Sequence, residues 1–173
     1  MKKSPFEKLN AVYRKTYSLD RQADSDFFDC VGEVYFSPEV QSLVQYPQHD
    51  KMNRLQHITS VAYLTFRICK RFGLDYEKAA NAAVMHDLFY YDWHENDWSH
   101  RPHGYRHPAF AAANAKTLCG DKLDKKSEMM ILRHMWPLTP MPPSSLEGLV
   151  LSLSDKYCAS REMKIAKQNA KHG

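Results

Sequence analysis

The chain has 173 residues, of which 43% are apolar and 25% are charged, and its net charge is +4. This length suits one domain with a sizeable core and is short for two. The lysines and arginines are scattered, so the sequence indicates no dedicated nucleic-acid surface. The small positive charge is compatible with a pocket for an anionic substrate.

The start of the chain, MKKSPFEKLN, has no apolar stretch, which argues against a signal peptide. No run approaches the length that spans a bilayer. We therefore expect a cytoplasmic protein without membrane contact. The cysteines form no CxxC pair and fall in apolar helical patterns, which favours buried, reduced thiols. They are Cys30, Cys69, Cys119 and Cys158.

The first third of the chain carries repeated helix signals and no convincing strand alternation. The sequence SPFE at 4–7 combines an N-cap, a proline and a capping-box glutamate, and it predicts a helix to about Tyr17. A second helix is predicted over 26–36. A short third helix begins at the Ser-Pro pair 37–38 and ends near Tyr46.

The middle of the chain is predicted to form two long helices after a turn at 47–50. Apolar side chains recur at helical spacing up to Gly73, which ends the first of them. One line on this helix consists of His57, Val61, Leu64 and Ile68. The second helix is predicted over 76–89 and contains the neighbours His86 and Asp87.

The last part of the chain begins with an irregular stretch at 90–106 that is rich in aromatic residues and histidines. Helices are then predicted from 107 to about 118 and from 124 to 135. A capping box at 144–147 opens the final helix, which carries Asp155, runs past Arg161 and frays from about residue 167. We therefore predict an all-α protein with a single domain over residues 1–173.

Six side chains that can bind a metal fall on five of these predicted helices, most of them at the end of an apolar run. Imidazole and carboxylate groups hold Zn, Mn or Fe ions in sites that activate water. The six are His57, His86, Asp87, His107, His134 and Asp155. Their placement predicts a metal centre in the middle of a helical bundle.

Asp155 follows the apolar run 149–153, so its carboxylate is expected to be buried. A buried carboxylate needs a cation or a hydrogen-bonding partner, and a metal ion would meet that need. His86 and Asp87 are adjacent and would leave a helix about 100° apart. Both can reach one ion at a helix crossing, or Asp87 can bridge two ions.

With this order of ligands, the sequence resembles the HD-domain metal-dependent phosphohydrolases. The family's order is a histidine, a His-Asp pair and a late aspartate, which His57, His86, Asp87 and Asp155 match. The stretches NRLQH at 53–57 and SDK at 154–156 resemble its opening and closing motifs. The resemblance covers roughly residues 51–161 and implies an HD-type helical bundle, on which residues 1–50 would pack as N-terminal helices.

His107 and His134 fall where two-metal members of the family, such as HDIG-type nucleotide hydrolases, place two further histidines. The residues after His-Asp are Leu-Phe-Tyr-Tyr at 88–91, and a GYP motif is absent, so the chain departs from the HD-GYP phosphodiesterases. Cyclic di-GMP is therefore not the indicated substrate.

The function that the resemblance implies is hydrolysis of a small phosphomonoester or phosphodiester, nucleotide-like, by a metal-bound hydroxide. The cofactor would be one or two divalent ions, drawn from Fe, Mn, Mg, Co and Zn. With two ions, Asp87 would bridge them. The first ion would then be held by His57, His86 and Asp155, and the second by His107 and His134.

Three further residues are candidates for catalysis. Arg54, one helical turn before the first histidine, and Lys156, beside Asp155, could bind phosphate, whereas Asp92 could accept a proton or support a ligand. Ordinary roles compete with these hypotheses, since the two cations could form surface ion pairs. His107 could likewise be a surface residue, and His134 a core histidine.

Other functions are compatible with the same ligand order. An HD-type di-iron centre that activates oxygen is one alternative, and a non-catalytic metal-binding regulatory module is another. The aromatic rings of the 90–106 stretch could form a lid or stack on a substrate. A homodimer through the N-terminal helices is also compatible with the sequence.

Overall fold

Local caps fix where most of the helices begin. In the computed structural model, which describes residues 4–49, 52–95 and 97–172, Ser4 and Glu7 form the predicted capping box. The Asn53 side chain accepts a hydrogen bond from the Gln56 backbone N–H at 2.9 Å. At the other end of that helix, Gly73 has a φ of 66°, a left-handed conformation that glycine adopts without steric cost.

The described residues form eight α-helices, which confirms the all-α prediction. The helices are α1 (Pro5–Lys15), α2 (Ser25–Tyr35), α3 (Pro38–Gln41), α4 (Arg54–Phe72), α5 (Tyr76–Met85), α6 (His103–Cys119), α7 (Lys125–Leu132) and α8 (Leu146–His172). Short 3₁₀ turns cover Thr16–Ser18, Ser42–Gln45, Trp98–His100 and Gly120–Lys122.

A small β-hairpin replaces the turn that was predicted at 47–50. Strand β1 (Pro47–His49) pairs antiparallel with β2 (Met52–Asn53), and Pro47 lies opposite Asn53. Residue 50, the last of the predicted turn, lies outside the described part of the chain. So does residue 51, at which the resemblance to the family was expected to begin. No alternation signalled these strands, because they contain only five residues together.

Several helix ends differ from the sequence-based boundaries. Helix α5 ends at Met85 and α7 at Leu132, three or more residues earlier than predicted. Helix α6 begins at His103 and continues through Pro108, whereas the prediction placed its start at residue 107. Helix α8 continues to His172 without fraying at residue 167.

The capping box predicted for α8 is not formed. Ser145 accepts the hydrogen bond from the Gly148 N–H. The Glu147 carboxylate instead accepts a hydrogen bond from the Asp75 backbone N–H at 3.2 Å and pairs with Lys126 at 3.0 Å. A tertiary contact has therefore replaced the local one.

Helix α4 lies at the centre of the bundle and packs most extensively against α5 and α8. Its side chains Ile58, Val61 and Phe66 are fully buried. Each buried side chain of this size stabilises the fold by roughly 1.5–3 kcal/mol through removal of apolar surface from water. The ends of α5 and α7, the first turns of α4 and α6, and the middle of α8 meet at one place in this bundle.

The N-terminal segment packs on the same core, since α1 and the 3₁₀ turn after it contact α4. The division of the chain as one domain with added N-terminal helices stays a prediction. Two cysteines, Cys69 and Cys158, are buried, and Cys30 and Cys119 are partly buried, all four as free thiols. Among the described helices, none combines the length and hydrophobicity needed to cross a membrane.

Candidate metal centre

All six predicted ligands converge at the meeting point of the helices, and all are buried. The ligand atoms of His57, His86 and Asp155 lie within 4.8 Å of one another, and so do those of His86, Asp87 and His134. Five separate segments supply these side chains. The structure therefore brings together the set of residues that the sequence singled out.

The first cluster consists of His57, His86, Asp155 and the Oδ2 atom of Asp87. The Nε2 atom of His57 lies 3.2 Å from Asp155 Oδ1 and 3.8 Å from Asp87 Oδ2. The Nε2 atom of His86 lies 3.8 Å from each of the same two oxygens. Two ligand atoms that each lie about 2.1 Å from one ion are at most about 4.2 Å apart, so these distances are short enough for a single ion.

The second cluster consists of His107, His134 and the Oδ1 atom of Asp87. This oxygen lies 3.2 Å from His107 Nε2 and 3.7 Å from His134 Nε2. The two Nε2 atoms are 2.9 Å apart. The two oxygens of the Asp87 carboxylate thus face different histidine pairs, which is the arrangement expected of a carboxylate that bridges two ions.

The turns that follow α5 and α7 orient two of the histidines in the same way. His86 donates from Nδ1 to the carbonyl of Ala83, and His134 donates from Nδ1 to the carbonyl of Ile131, both at 2.7 Å. Carbonyls at a helix C-terminus lack intrahelical partners and accept such bonds readily. In its neutral form each ring therefore presents the Nε2 lone pair to the centre, which is the tautomer that binds metal.

His107, inside helix α6, is also oriented by a hydrogen bond from Nδ1 to a backbone carbonyl. Its Nδ1 donates to the carbonyl of His103, one turn earlier, at 2.9 Å. Because a carbonyl can only accept, the neutral forms of His107 and His134 turn their Nε2 lone pairs toward each other. A cation beside them would remove this repulsion, so the second cluster fits a metal ion.

A buried polar atom without a partner also indicates a cation in the first cluster. The Nε2 atom of His86 makes no hydrogen bond to any described residue. A buried acceptor that is left unpaired costs about 1–3 kcal/mol. A metal ion at this position would satisfy it, and the donors present, imidazole nitrogens and carboxylate oxygens, are those that Zn, Mn and Fe prefer.

The charges of the cluster shift the pKa values of its members. Burial raises the pKa of the Asp87 carboxyl, but the neighbouring His86, His107 and His134 rings outweigh it, and the pKa falls well below its usual range. For Asp155, burial is outweighed by the hydrogen bond from His57 and by the neighbouring His86 ring and Lys156 ammonium group, which again lower the pKa. Both carboxylates are therefore ionised at neutral pH, as metal ligands must be.

The pKa values of two histidines are shifted in opposite directions. Burial, reinforced by the neighbouring His86 and His107 rings, holds the pKa of His134 well below its usual range, so this ring is neutral at pH 7. Burial also opposes a charge on His57, but the carboxylates of Glu162 and Asp155 outweigh it and raise the pKa of that ring well above its usual range. A metal ion in the first cluster would take the place of the His57 proton.

Glu162 is a functional candidate that the sequence analysis missed. Its buried carboxylate accepts the Nδ1–H of His57, with oxygen distances of 2.9 and 3.1 Å. It lies seven residues after Asp155 on α8, so both side chains point from the same helix face toward α4. This i, i+7 spacing was the signal that could have found it.

Gln48 is a second missed residue. Its Nε2 donates to Asp87 Oδ2 at 3.1 Å, while its Oε1 accepts from Arg54 Nε at 3.1 Å. The side chain is buried. No local pattern marks Gln48, because it lies on β1 and reaches the site only through the position of the β1–β2 hairpin.

Arg54 occupies a different position from the phosphate-binding one that was proposed for it. The side chain is fully buried. Its Nη1 and Nη2 donate to the carbonyls of Phe89 and Tyr91 at 2.7 and 3.1 Å, and the guanidinium lies 3.6 Å from the Phe89 ring centroid. Burial lowers its pKa to about 10, so it stays charged at neutral pH. Arg54 therefore braces the segment that follows the His-Asp pair.

Replacing Arg54 with lysine is expected to lower the free energy of unfolding by roughly 2–4 kcal/mol, because an ammonium group lacks the planar fork that reaches three separate acceptors at once. Urea unfolding would measure this change, and hydrogen exchange would show reduced protection at residues 89–91. KM for a phosphorylated substrate should stay constant. A variant of normal stability with a raised KM would instead indicate phosphate contact.

Lys156 and Asp92 lie in different surroundings. Lys156 is partly exposed at the rim, where its Nζ donates to Asp155 Oδ2 at 2.8 Å and to the His134 carbonyl at 2.7 Å. The Asp92 carboxylate accepts from the backbone and ring of His94 at 2.9 and 2.7 Å, and these bonds lower its pKa. A lowered pKa makes Asp92 a weak proton acceptor.

The aromatic stretch after the His-Asp pair covers the second cluster with rings that stack on histidines. Trp93 stacks on His103, and His103 stacks on His107 with centroids 4.4 Å apart. The Tyr91 and His100 rings are parallel at 3.6 Å. These rings therefore pack against histidine side chains of the protein, which agrees with a lid.

Comparison with known proteins gives one positive result. The model of the HD domain family matches residues 54–160, more than half of the chain and all six predicted ligands. Searches of curated proteins and of solved structures returned no match. The matched segment, with its ordered histidines and aspartates, shows that the chain belongs to the HD-domain superfamily of metal-dependent phosphohydrolases.

Proposed function

We propose that this protein hydrolyses a small phosphomonoester or phosphodiester with two divalent metal ions. One observation carries the proposal: the two oxygens of the Asp87 carboxylate face separate clusters, each with two Nε2 atoms. In this arrangement His57, His86 and Asp155 would hold the first ion, and His107 and His134 the second. Asp87 would be shared by both.

Bound divalent ions would lower the pKa of a coordinated water and neutralise the charge that develops on phosphoryl oxygens. The chain's own residues set the conditions for this chemistry. The buried positions of Asp87 and Asp155 keep bulk water from the centre. Lys156, at the rim, places a positive charge beside Asp155 and is the candidate contact for a non-bridging phosphate oxygen.

Exposed aromatic rings of the 90–106 stretch support a substrate preference. Trp98 and Tyr105 are exposed on the aromatic stretch and could stack on a base, so a nucleotide-like substrate is favoured over an unsubstituted phosphate ester. Iron and manganese are the expected ions among those that mixed histidine and carboxylate ligands bind.

The test is phosphate release by metal-free protein to which Mn²⁺, Co²⁺ or Mg²⁺ is added back under anaerobic conditions. Substrates would be p-nitrophenyl phosphate, bis(p-nitrophenyl) phosphate and a panel of nucleoside monophosphates. We expect metal-dependent turnover on at least one of them. Consumption of oxygen by protein with two bound irons, without phosphate release, would contradict hydrolysis and favour the oxygenase. Metal binding without either reaction would favour a regulatory module.

A further inference from the structure

The four histidines of the centre have unequal partners on their Nδ1 atoms. His86, His107 and His134 each donate to a neutral backbone carbonyl. His57 alone among these four donates to a carboxylate, that of Glu162. The difference distinguishes the two clusters. His57 belongs to the first cluster, whereas His107 and His134 of the second cluster have carbonyl partners at Nδ1.

The negative charge around the two clusters is unequal for the same reason. The first cluster contains Asp155 and one oxygen of Asp87, and Glu162 stands directly behind His57. Among the described residues, the second cluster has one carboxylate oxygen, the other oxygen of Asp87. The first cluster keeps the larger negative charge even though Lys156 at the rim pairs with Asp155. A divalent cation is therefore attracted more strongly to the first cluster. A carboxylate behind a histidine also makes the ring a stronger donor to metal and fixes its orientation.

We propose that Glu162 is a positioning residue that makes the first cluster the tighter metal site, so that the two ions bind in order. This inference rests on the proposed function only in requiring that the centre binds divalent metal. Glu162 lies just beyond residues 54–160, the segment that matches the family model. The predicted consequence is a stable one-metal form and a second ion that exchanges readily.

The experiment is a titration of metal-free protein with Co²⁺, followed by visible absorption and by calorimetry. The wild-type protein should bind two ions in two resolved steps. Glu162→Gln keeps the size of the side chain and an oxygen that can accept the His57 N–H, but removes the charge. We expect it to weaken the first step by about 10–100-fold and to change the second step far less.

The matched control is Glu147→Gln. Glu147 is also a buried carboxylate on α8, but it pairs with Lys126 and the backbone of Asp75, away from the centre. This variant should lose stability while both Co²⁺ steps keep their wild-type affinities. Circular dichroism would establish that each variant is folded.

A second measurement needs no variant. With one equivalent of Zn²⁺, the side-chain nitrogen resonances of His57 and His86 should shift before those of His107 and His134. Equal weakening of both steps by Glu162→Gln, an unchanged first step, or simultaneous shifts of all four histidines would overturn the inference. Ordered binding of two ions without phosphate release would leave it standing and would contradict the hydrolase instead.

Discussion

Replacing Asp87 with asparagine is expected to lower kcat/KM of the metal-dependent reaction by about 10³-fold or more, with the helices intact. An amide has one oxygen, and its NH₂ group would face the Nε2 atoms of one histidine pair. Since Asp87 supplies an oxygen to each cluster, the substitution removes a ligand and a charge from both. The loss of preorganised charge at such a centre has a cost of this order.

Two measurements check this result: the metal content of the purified variant and its kcat/KM for the best substrate found for the wild type. The control is Asp92→Asn, because the Asp92 carboxylate accepts its hydrogen bonds from His94 and lies outside both clusters. Its activity should stay close to that of the wild type. Full activity of the Asp87 variant would contradict the shared-carboxylate centre.

Removing the metal is expected to have the largest effect on stability. When the free ion is about 1,000-fold above its Kd, binding stabilises the folded state by about 4 kcal/mol. For a chain of this size, about 1 kcal/mol shifts Tm by roughly 2–4 °C. Chelation should therefore lower Tm by roughly 8–16 °C, because the ligand groups are buried together with no cation to balance them.

The size of this shift should depend on pH. The raised pKa of His57 means that the metal-free protein gains stability from its protonated ring below about pH 6.5, and loses that gain as the pH rises through the raised value. Metal binding displaces the same proton, so it competes best at high pH. Thermal melts with and without Mn²⁺ should differ more at pH 8 than at pH 6.

The Asp87→Asn variant supplies the control for these melts, since it should show little dependence on metal at either pH. A wild-type Tm that does not change with chelation would argue against a structural contribution from bound ions. A difference that shrinks as the pH rises would argue against displacement of the His57 proton.

The sequence predicted the helices best where the signals are local. The capping box of Ser4 and Glu7 and the glycine at residue 73 act within one helical turn, so their sequence pattern is sufficient. The ends of α5 and α7 were predicted too late, because the apolar pattern continues through His86 and His134 while their rings bond the last carbonyls of each helix. At both places the chain therefore stays buried beyond the residue at which the helix ends.

By itself, the sequence determined the fold class and the identity of the six buried histidines and aspartates that could bind metal, since their order and their apolar flanks are properties of the chain. The tertiary structure alone decided how they are grouped and supported. Gln48 meets Asp87 across 39 residues, and His57 meets Glu162 across 105. Such contacts depend on how helices and a hairpin dock, and no short-range pattern encodes docking.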